Sequence, residues 1–211
     1  MKKAFIVFAR TPEIGKVKTR LMRDLGKEET LKLYKSFVGE IFKRCDSLKG
    51  VDKFLGSFPT ADDPFFIELL KQHKFKGAFN QRGADLGEKF INAFNDRFKE
   101  GYEKVVIIGS DSPTIPVEYI KKAFQELERH DVVFGPCTDG GYYLVGTKKM
   151  YKSIFSGIPW DSSEVLNKTL DKLHAGKIKF SLLPFWYDVD DIDDFRFYKR
   201  HIKYLKGAGQ I

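Results

Sequence analysis

Lys104-Val105-Val106-Ile107-Ile108-Gly109-Ser110-Asp111-Ser112-Pro113 is the stretch that decides the fold. Its four consecutive β-branched apolar residues predict a buried central strand over residues 104–109. A carboxylate that directly follows such a strand is costly to bury unless it is paired or coordinated. Asp111 is therefore a candidate ligand for a hard cation such as Mg²⁺, with a turn or N-cap aspartate before the next helix as the alternative.

On both sides of this strand, short apolar runs alternate with amphipathic segments. The pattern predicts strands at 3–8, 53–58, 75–80, 131–136, 142–146 and 178–183, and helices at 28–48, 64–72, 86–99, 116–129, 162–173 and 192–205. Ser162 is expected to be the N-cap of the helix that follows it. Strands separated by helices favour a mostly parallel sheet with helices on both faces. No repeat or linker divides the chain, so we predict one α/β domain over residues 1–211.

Composition excludes several classes of protein. The first apolar run, residues 4–9, is too short to span a bilayer and has no cleavage site after it, so we expect a cytoplasmic protein without membrane contact. Cys45 and Cys137 lack the spacing of metal ligands and are expected to be reduced thiols. The aromatic content suits either a core or an interface, so the oligomeric state is left open.

The net charge of +8 has two interpretations. Lysine and arginine are scattered among acidic residues, which fits a solvated surface, but the excess also favours an anionic substrate such as a nucleoside triphosphate. The two interpretations are compatible. No stripe of basic residues with interleaved aromatics is present, so nucleic acid is not an expected partner.

The loop after the first strand is rich in cations. Residues 9–21 contain Arg10, Lys16, Lys18 and Arg20 around the single glycine Gly15. Several converging donors suit a triphosphate, and a glycine lets the backbone approach a phosphate closely. The spacing differs from a Walker A loop. An ordinary exposed basic loop is the alternative.

A dense acidic segment precedes the last predicted helix. Five aspartates lie between Asp188 and Asp194. The last three of them are expected in or near the first helical turn, where the helix dipole favours negative charge. Asp188 and Asp190 share one side of an extended segment, so at least one of them can face a cleft. Because Mg²⁺ is commonly held by one or two carboxylates plus phosphate oxygens, Asp111 and Asp190 are the predicted pair, with Asp188 in place of Asp190 left open.

Two further loops contain glycine. The segment 81–87 begins with Gln81, whose amide could read the edge of a base through a paired donor and acceptor. The segment 138–143 places Asp139 and two glycines before two tyrosines. A plain hairpin turn explains the second loop equally well, and an acceptor pocket is the functional alternative.

Taken together, the motifs resemble a known family. Phe8-Ala9-Arg10-Thr11-Pro12, Lys18-Thr19-Arg20-Leu21, residues 81–87, Gly109-Ser110-Asp111-Ser112-Pro113, Asp139-Gly140-Gly141-Tyr142-Tyr143 and Asp188-Val189-Asp190 occur in one order. That order resembles the DUF2064 family, transferases of the glycosyltransferase-A (nucleotide-diphospho-sugar transferase) superfamily. The resemblance runs from Lys3 to about Phe195.

The resemblance implies a Rossmann-like α/β/α sandwich with a mixed sheet, and it implies roles for individual residues. The implied catalytic residues are Lys18, Arg20 and Asp111, and the implied ligands of Mg²⁺ (or Mn²⁺) are Asp111 and Asp190. The expected nucleotide-binding residues are Phe8, Ala9, Arg10, Gly15, Lys16, Lys18, Arg20, Gln81, Gly83, Leu86, Gly87 and Ser110. The expected acceptor-binding residues are Asp139, Gly140, Gly141, Tyr142, Trp160 and Ser162.

Three functions follow as hypotheses. The first is nucleotidyl transfer from a nucleoside triphosphate to a small anionic acceptor, with release of pyrophosphate. The second is glycosyl transfer from a nucleoside diphosphate sugar, although Asp111-Ser112-Pro113 departs from the Asp-x-Asp of many glycosyltransferases. The third is a nucleotide-binding protein without catalysis.

Overall fold

Seven strands form one mixed sheet in the computed structural model, which describes residues 1–207. The strands are β1 (Lys3–Arg10), β2 (Asp52–Phe58), β3 (Gly77–Asn80), β4 (Lys104–Ile108), β5 (Val132–Pro136), β6 (Tyr142–Thr147) and β7 (Phe180–Leu182). The helices are α1 (Met22–Leu25), α2 (Lys27–Arg44), α3 (Pro64–Gln72), α4 (Leu86–Lys99), α5 (Val117–Glu126), α6 (Val165–Ala175) and α7 (Ile192–Gly207). The last four residues of the predicted domain lie outside the described part.

The strand order is β3-β2-β1-β4-β6-β5-β7. The strands β1 to β4 pair in parallel, and β6 alone runs antiparallel to its neighbours β4 and β5. The chain moves outward from β1 to β3 and then returns to place β4 on the other side of β1. Ligands bind at such a switch point in open α/β sheets, outside the carboxyl ends of the strands.

Two apolar cores flank the sheet, which is why the strands lack a polar face. Along β1, Phe5 and Val7 belong to the core under α2, α3 and α5, whereas Ala4 and Ile6 belong to the core under α4 and α6. Every residue of β4 is buried. This arrangement confirms the predicted α/β/α sandwich with a mostly parallel sheet.

The element boundaries depart from the predictions at a few ends. The helix predicted from residue 116 begins at Val117, with Pro116 at the N-cap. The prediction that Ser162 caps the next helix is wrong, because α6 begins only at Val165 and Glu164 occupies the N-cap position. Ser162 instead forms a local turn: its Oγ donates to Pro159 O at 2.9 Å and accepts from Glu164 N at 3.2 Å.

The last helix closes the fold against α2. Tyr198 on α7 contacts Phe37 on α2 in an edge-to-face pair with centroids 5.0 Å apart. Aspartate side chains fix the start of α7. Asp191 accepts from Asp193 N at 3.0 Å, and Asp194 accepts from Asp190 N at 3.0 Å. Within residues 1–207, none of the helices has the length and apolar character needed to cross a membrane.

Candidate active site

A cleft of about 660 Å³ opens at the carboxyl ends of β1 and β4. The loop after β1 forms one wall, and the β5–β6 turn with the segment before α6 forms the opposite wall. The acidic segment before α7 reaches the same cleft through Asp188 and Asp190. The topological switch point therefore coincides with the place where the predicted site residues gather.

Tyr34 on α2 anchors the end of β1. Its hydroxyl donates to Arg10 O at 2.8 Å, accepts from Arg10 N at 2.8 Å and lies 3.4 Å from the Oγ of Ser110. Burial raises the pKa of the Tyr34 phenol to about 12, so the group stays neutral. One side chain thus satisfies both backbone groups of Arg10 where the β1 ladder ends, and it ties that end to the loop after β4.

Lys18 occupies the centre of the cleft. Its ammonium is ion-paired with Asp111 and lies 2.7 Å from Asp190 Oδ1, while only 5% of its side chain is exposed. Burial by itself would lower the pKa of Lys18, but the charges of the two carboxylates outweigh burial and raise it above its ordinary value. Lys18 also has a φ of +48°, a conformation that is uncommon for residues other than glycine.

A backbone hydrogen bond brings the two carboxylate segments together. Val189 N donates to Asp111 O at 2.9 Å, so the residues on either side of Val189 are held beside the loop after β4. Asp190 then reaches Lys18, and Asp188 accepts a short hydrogen bond from Ser112 Oγ. The predicted meeting of Asp111 and Asp190 in one cleft is thereby observed.

Asp188 faces a second small cluster. A carboxylate oxygen of Asp188, a carboxylate oxygen of Asp139 and the Sγ of Cys137 lie within 4.8 Å of one another. Burial, and after it the charge of Asp111, raises the pKa of Asp188 to about 7. The pKa of the Cys137 thiol is also raised, first by burial and then by Asp188. Cys45 and Cys137 are both free and buried, in keeping with the prediction of unpaired thiols.

The side of the cleft at the ends of β1 and β2 is cationic; we call it the basic half. Lys89 on α4 points to this side, with its ammonium 3.7 Å from the centre of the Phe58 ring. Burial lowers the pKa of Lys89, and the charge of Arg10 lowers it further. A bound anion would relieve that repulsion. The cations of the basic half are Arg10, Lys16, Arg20 and Lys89.

Gln81 lines the basic half, but its amide has fewer free hydrogen-bonding groups than the sequence predicted. Its Nε2 donates to Gly56 O at 2.9 Å and lies 3.4 Å from Ala9 O. Because backbone carbonyls already use the amide donor, only Oε1 remains to accept from a ligand. The paired donor and acceptor predicted for base reading are therefore not both free.

The opposite side of the cleft, at the β5–β6 turn, is aromatic and acidic; we call it the aromatic half. Phe90, Tyr142 and Trp160 contact one another with ring centroids 5.8 to 6.2 Å apart. Asp139 and Asp161 are exposed at its edge. The antiparallel β5–β6 connection confirms the hairpin turn, and the same turn lines the cleft.

Most predicted site residues line this cleft. They are Phe8, Ala9, Arg10, Lys16, Lys18, Arg20, Gln81, Leu86, Ser110, Asp111, Asp139, Gly141, Tyr142, Trp160, Ser162 and Asp190. Four predicted glycines, Gly15, Gly83, Gly87 and Gly140, are not among the residues of the described chain that line the cleft.

Packing explains three of these glycines. A Cβ on Gly87 would lie 2.3 Å from Phe155 O, one on Gly140 would lie 2.1 Å from Ser163 O, and one on Gly83 would lie 2.5 Å from the Cβ of Glu88. A Cβ on Gly15 would meet no atom closer than 4.0 Å, and the residue adopts a φ of +78°, so this glycine serves to turn the loop. Backbone packing and turning account for these four glycines, and ligand contact at them stays a prediction.

Several cleft residues escaped the sequence analysis. Tyr34 was visible only as part of the apolar stripe of a helix, and Phe58 only as the end of a strand. Lys89 and Phe90 are neighbours on α4 that reach opposite halves, which a helix pattern does not reveal. Ser112 and Cys137 lie beside the cleft, next to Asp188. Ser112 is part of the motif at residues 109–113 and Cys137 directly precedes the segment 138–143, but neither position indicates a contact with Asp188.

The donor set fits a hard divalent cation. Asp111 and Asp190 converge on a single cationic atom, the Lys18 ammonium, so their oxygens already surround one point that can hold a positive charge. Carboxylate oxygens at a cleft open to phosphate groups are the ligands that Mg²⁺ uses. The residues present therefore suit the predicted metal, whose binding stays a prediction.

This fold, with a cationic and carboxylate-lined cleft at its switch point, is the fold of the nucleotide-diphospho-sugar transferase class. The family described as "Uncharacterized protein conserved in bacteria (DUF2064)" matches residues 44–162, more than half of the chain. The chain therefore belongs to the DUF2064 family.

Comparisons with individual proteins agree. A solved structure from Desulfovibrio desulfuricans G20, provisionally described as a nucleotide-diphospho-sugar transferase, is 34% identical, with a TM-score of 0.85, and the match covers 95% of this chain and 88% of that one. A 2-phospho-L-lactate guanylyltransferase from Methanocaldococcus infernus is 24% identical over 85% of this chain and 76% of its own length. A 4-diphosphocytidyl-2C-methyl-D-erythritol synthase from Anaerococcus prevotii shares the fold, with 9% identity, coverage of 95% and 96% and a TM-score of 0.64.

Proposed function

We propose that the protein transfers a nucleotidyl group from a nucleoside triphosphate to a small acceptor and releases pyrophosphate. The observation that carries this proposal is the Lys18–Asp111–Asp190 centre, which lies between the basic half and the aromatic half of one cleft. The sequence relative that is a guanylyltransferase supports the same reaction class.

The basic half suits the triphosphate. Arg10, Lys16, Arg20 and Lys89 line it without a carboxylate partner within ion-pair distance among residues 1–207. Arginine offers a planar fork and lysine a point charge, so together they can hold several phosphate oxygens. Pyrophosphate departs as a highly charged anion, and fixed cations stabilise the charge that develops on it.

Asp111 and Asp190 would hold the divalent cation. When bound there, the ion would neutralise charge on the phosphate oxygens and act as a Lewis acid towards them. Lys18 would then be free to turn from the carboxylates to the phosphates, which would lie on the side of Arg10 and Arg20. Positioning and electrostatics carry such a reaction, because the protein itself forms no covalent bond.

Glycosyl transfer from a nucleoside diphosphate sugar is the second candidate. The specific observation in its favour is the solved relative at 34% identity, which is provisionally described as a nucleotide-diphospho-sugar transferase. The same cleft would bind the diphosphate in its basic half and the sugar beyond it. The additional unpaired cations of the basic half favour the triphosphate, since a diphosphate leaves fewer oxygens for them.

A pyrophosphate-release assay tests the proposal. The protein is incubated with Mg²⁺, each nucleoside triphosphate in turn and a panel of neutral and phosphorylated acceptors. We expect release that depends on one nucleotide and one acceptor, and that is lost in Asp111→Asn. The control is Asp171→Asn, an exposed position on α6 outside the cleft. Absence of release with every pairing, together with turnover of a nucleoside diphosphate sugar, would favour glycosyl transfer instead.

A further inference from the structure

The two halves of the cleft differ in charge, and the strand order determines the position of each half. Strands β2 and β1 lie on one side of β4, and β6 and β5 lie on the other. The basic half therefore stands at the ends of β1 and β2, and the aromatic half at the ends of β5 and β6. The Lys18–Asp111–Asp190 centre lies between them, at the end of β4.

The aromatic half presents ring carbon to the cleft. Tyr142 and Trp160 both line the cavity, yet the hydroxyl of Tyr142 and the Nε1 of Trp160 are buried away from solvent. Trp160 is fixed on its far side by Gly87, where an added Cβ would come within 3.0 Å of Nε1. What these two rings and Phe90 offer a ligand is therefore a rigid apolar surface rather than hydrogen-bonding groups.

The polar groups of this half are acceptors with negative charge. Asp139 and Asp161 are exposed, and neither has a lysine, arginine or histidine within 4.0 Å among residues 1–207. Asp139 accepts from Gly141 N at 2.9 Å through Oδ1, and its carboxylate also lies beside the Cys137 thiol. Two unpaired carboxylates repel an anion, and they accept hydrogen bonds from hydroxyl groups.

The aromatic half adjoins the reaction centre. A carboxylate oxygen of Asp139 lies within 4.8 Å of one of Asp188, and Asp188 flanks the same backbone hydrogen bond that holds Asp190 beside Asp111. A ligand on the aromatic rings would therefore lie next to the group being transferred. A cationic ligand would be placed close to the Lys18 ammonium and to any metal ion at Asp111 and Asp190, which disfavours it.

We infer that the aromatic half binds an uncharged polyhydroxylated compound, a polyol or a sugar ring, whose carbon face packs on Tyr142 and Trp160 and whose hydroxyl groups donate to Asp139 and Asp161. This inference rests on the proposed function for its position in the reaction. It replaces the expectation of a small anionic acceptor. Two sources of the polyol are compatible with the chemistry: a free acceptor, or the sugar of a nucleoside diphosphate sugar.

The test measures binding rather than turnover. The protein, without nucleotide or metal but with inorganic pyrophosphate to occupy the basic half, is titrated with glucose, myo-inositol, glucose 6-phosphate and choline. Binding is measured by saturation-transfer NMR and by the fluorescence of Trp160 in a Trp186→Phe protein. The chain has two tryptophans, so this change leaves Trp160 as the one that fluoresces. Trp186 is not among the residues that line the cleft, so the cleft itself is unaltered. Calorimetry on the unaltered protein provides a ranking that does not depend on the variant.

We expect the neutral probes to bind more tightly than glucose 6-phosphate and choline. In the double variant Asp139→Asn/Asp161→Asn, the ratio of the dissociation constant of glucose 6-phosphate to that of glucose should fall by about tenfold. Tighter binding of glucose 6-phosphate or of choline by the unaltered protein would overturn the inference, as would equal binding of all probes. Because no nucleotide is present, this result is independent of the pyrophosphate assay, so the two proposals can fail separately.

A competition experiment then separates the two sources. A free acceptor binds together with a non-hydrolysable nucleoside triphosphate and Mg²⁺, so its affinity is kept or increased. The sugar of a donor occupies the same surface, so a nucleoside diphosphate sugar displaces the neutral probe while the nucleoside diphosphate alone does not. Either result supports binding of a polyol at Trp160.

Discussion

The Nζ atom of Lys18 lies 2.7 Å from Oδ1 of Asp190, although 172 positions separate the two residues in the chain. The same ammonium pairs with Asp111. Lys18 thus stands where a metal ion would be needed, and it pairs with both proposed ligands. Metal and nucleotide are then expected to bind together, because the phosphates provide the new partner that draws Lys18 away.

The first prediction concerns Lys18→Met. Removal of the ammonium leaves two carboxylates without a counter-charge, so we expect Mn²⁺ to bind the nucleotide-free protein about tenfold more tightly, which corresponds to about 1.4 kcal/mol. Transfer activity should fall by about 100-fold or more, because a cation at the phosphates is lost. Electron paramagnetic resonance of free Mn²⁺ measures the affinity.

The control for this prediction is Lys122→Met, which removes an exposed lysine of α5 outside the cleft. Its Mn²⁺ affinity and activity should match those of the unaltered protein. Unchanged or weaker binding of Mn²⁺ to Lys18→Met would contradict the idea that Lys18 and the metal compete for the same carboxylates.

The second prediction concerns the two carboxylates. A ligand at 100 times its dissociation constant stabilises a protein by about 2.7 kcal/mol, so a nucleoside triphosphate with Mg²⁺ should raise the melting temperature measurably. Asp111→Asn and Asp190→Asn should each remove most of that shift, and EDTA should have the same effect on the unaltered protein. Differential scanning calorimetry with and without ligand provides the measurement. If Asp111→Asn retained the full shift, the metal would have to be held elsewhere.

The sequence was sufficient to predict the sandwich and the gathering of the strand-end loops. Continuous apolar runs such as Val105 to Ile108 can only be buried on both faces, and helices must then cover them. Because parallel strands present their carboxyl ends at one edge, Asp111 and the loop with Lys18 had to lie near each other. Asp190 lies at the same edge because the segment before α7 runs beside the loop after β4.

Side-chain direction and packing could not be predicted in this way. A helix pattern does not distinguish the directions of Lys89 and Phe90, yet Lys89 reaches the basic half and Phe90 the aromatic half. Gly87 reads equally well as a ligand contact and as a packing position, and only the closeness of Phe155 O separates the two. The sequence also left open whether Asp188 or Asp190 reaches the centre.

The third prediction tests the anchor of the basic half. Tyr34→Phe removes a buried hydroxyl that serves both backbone groups of Arg10, so we expect a loss of about 1–3 kcal/mol in the free energy of unfolding. Nucleotide affinity should also weaken, because the end of β1 carries Arg10 into the cleft. Urea denaturation and nucleotide titration measure the two effects. Tyr204→Phe is the control, since Tyr204 is 73% exposed, and a loss equal in both variants would refute the anchoring role.

The fourth prediction separates a structural glycine from a ligand-binding one. Gly87→Ala places a Cβ 2.3 Å from Phe155 O, so α4 must shift and the free energy of unfolding should fall by about 1–3 kcal/mol. Gly39→Ala is the matched change on α2, where nothing lies within 4 Å, and it should stabilise the protein by about 0.5–1 kcal/mol through helix propensity. Unaltered stability of Gly87→Ala together with weakened nucleotide binding would instead support ligand contact at Gly87.

The last prediction concerns pH and Asp188. Burial and the neighbouring charge of Asp111 raise the pKa of Asp188 from 3.8 to about 7 in the folded protein. Between about pH 4 and pH 7 the folded chain therefore holds a proton that the unfolded chain has released. It follows that this group's contribution to stability is largest below its unfolded pKa and is lost as the pH rises towards 7.

We therefore expect the free energy of unfolding of Asp188→Asn, measured by urea denaturation in EDTA, to decline less between pH 4 and pH 7 than that of the unaltered protein. The amide cannot ionise but still accepts from Ser112 Oγ, so the hydrogen bond is retained while the titration is removed. Asp171→Asn, exposed on α6, should keep the original slope. Equal slopes in the Asp188 variant and the unaltered protein would mean that Asp188 binds no extra proton on folding in this range, and they would contradict its raised pKa.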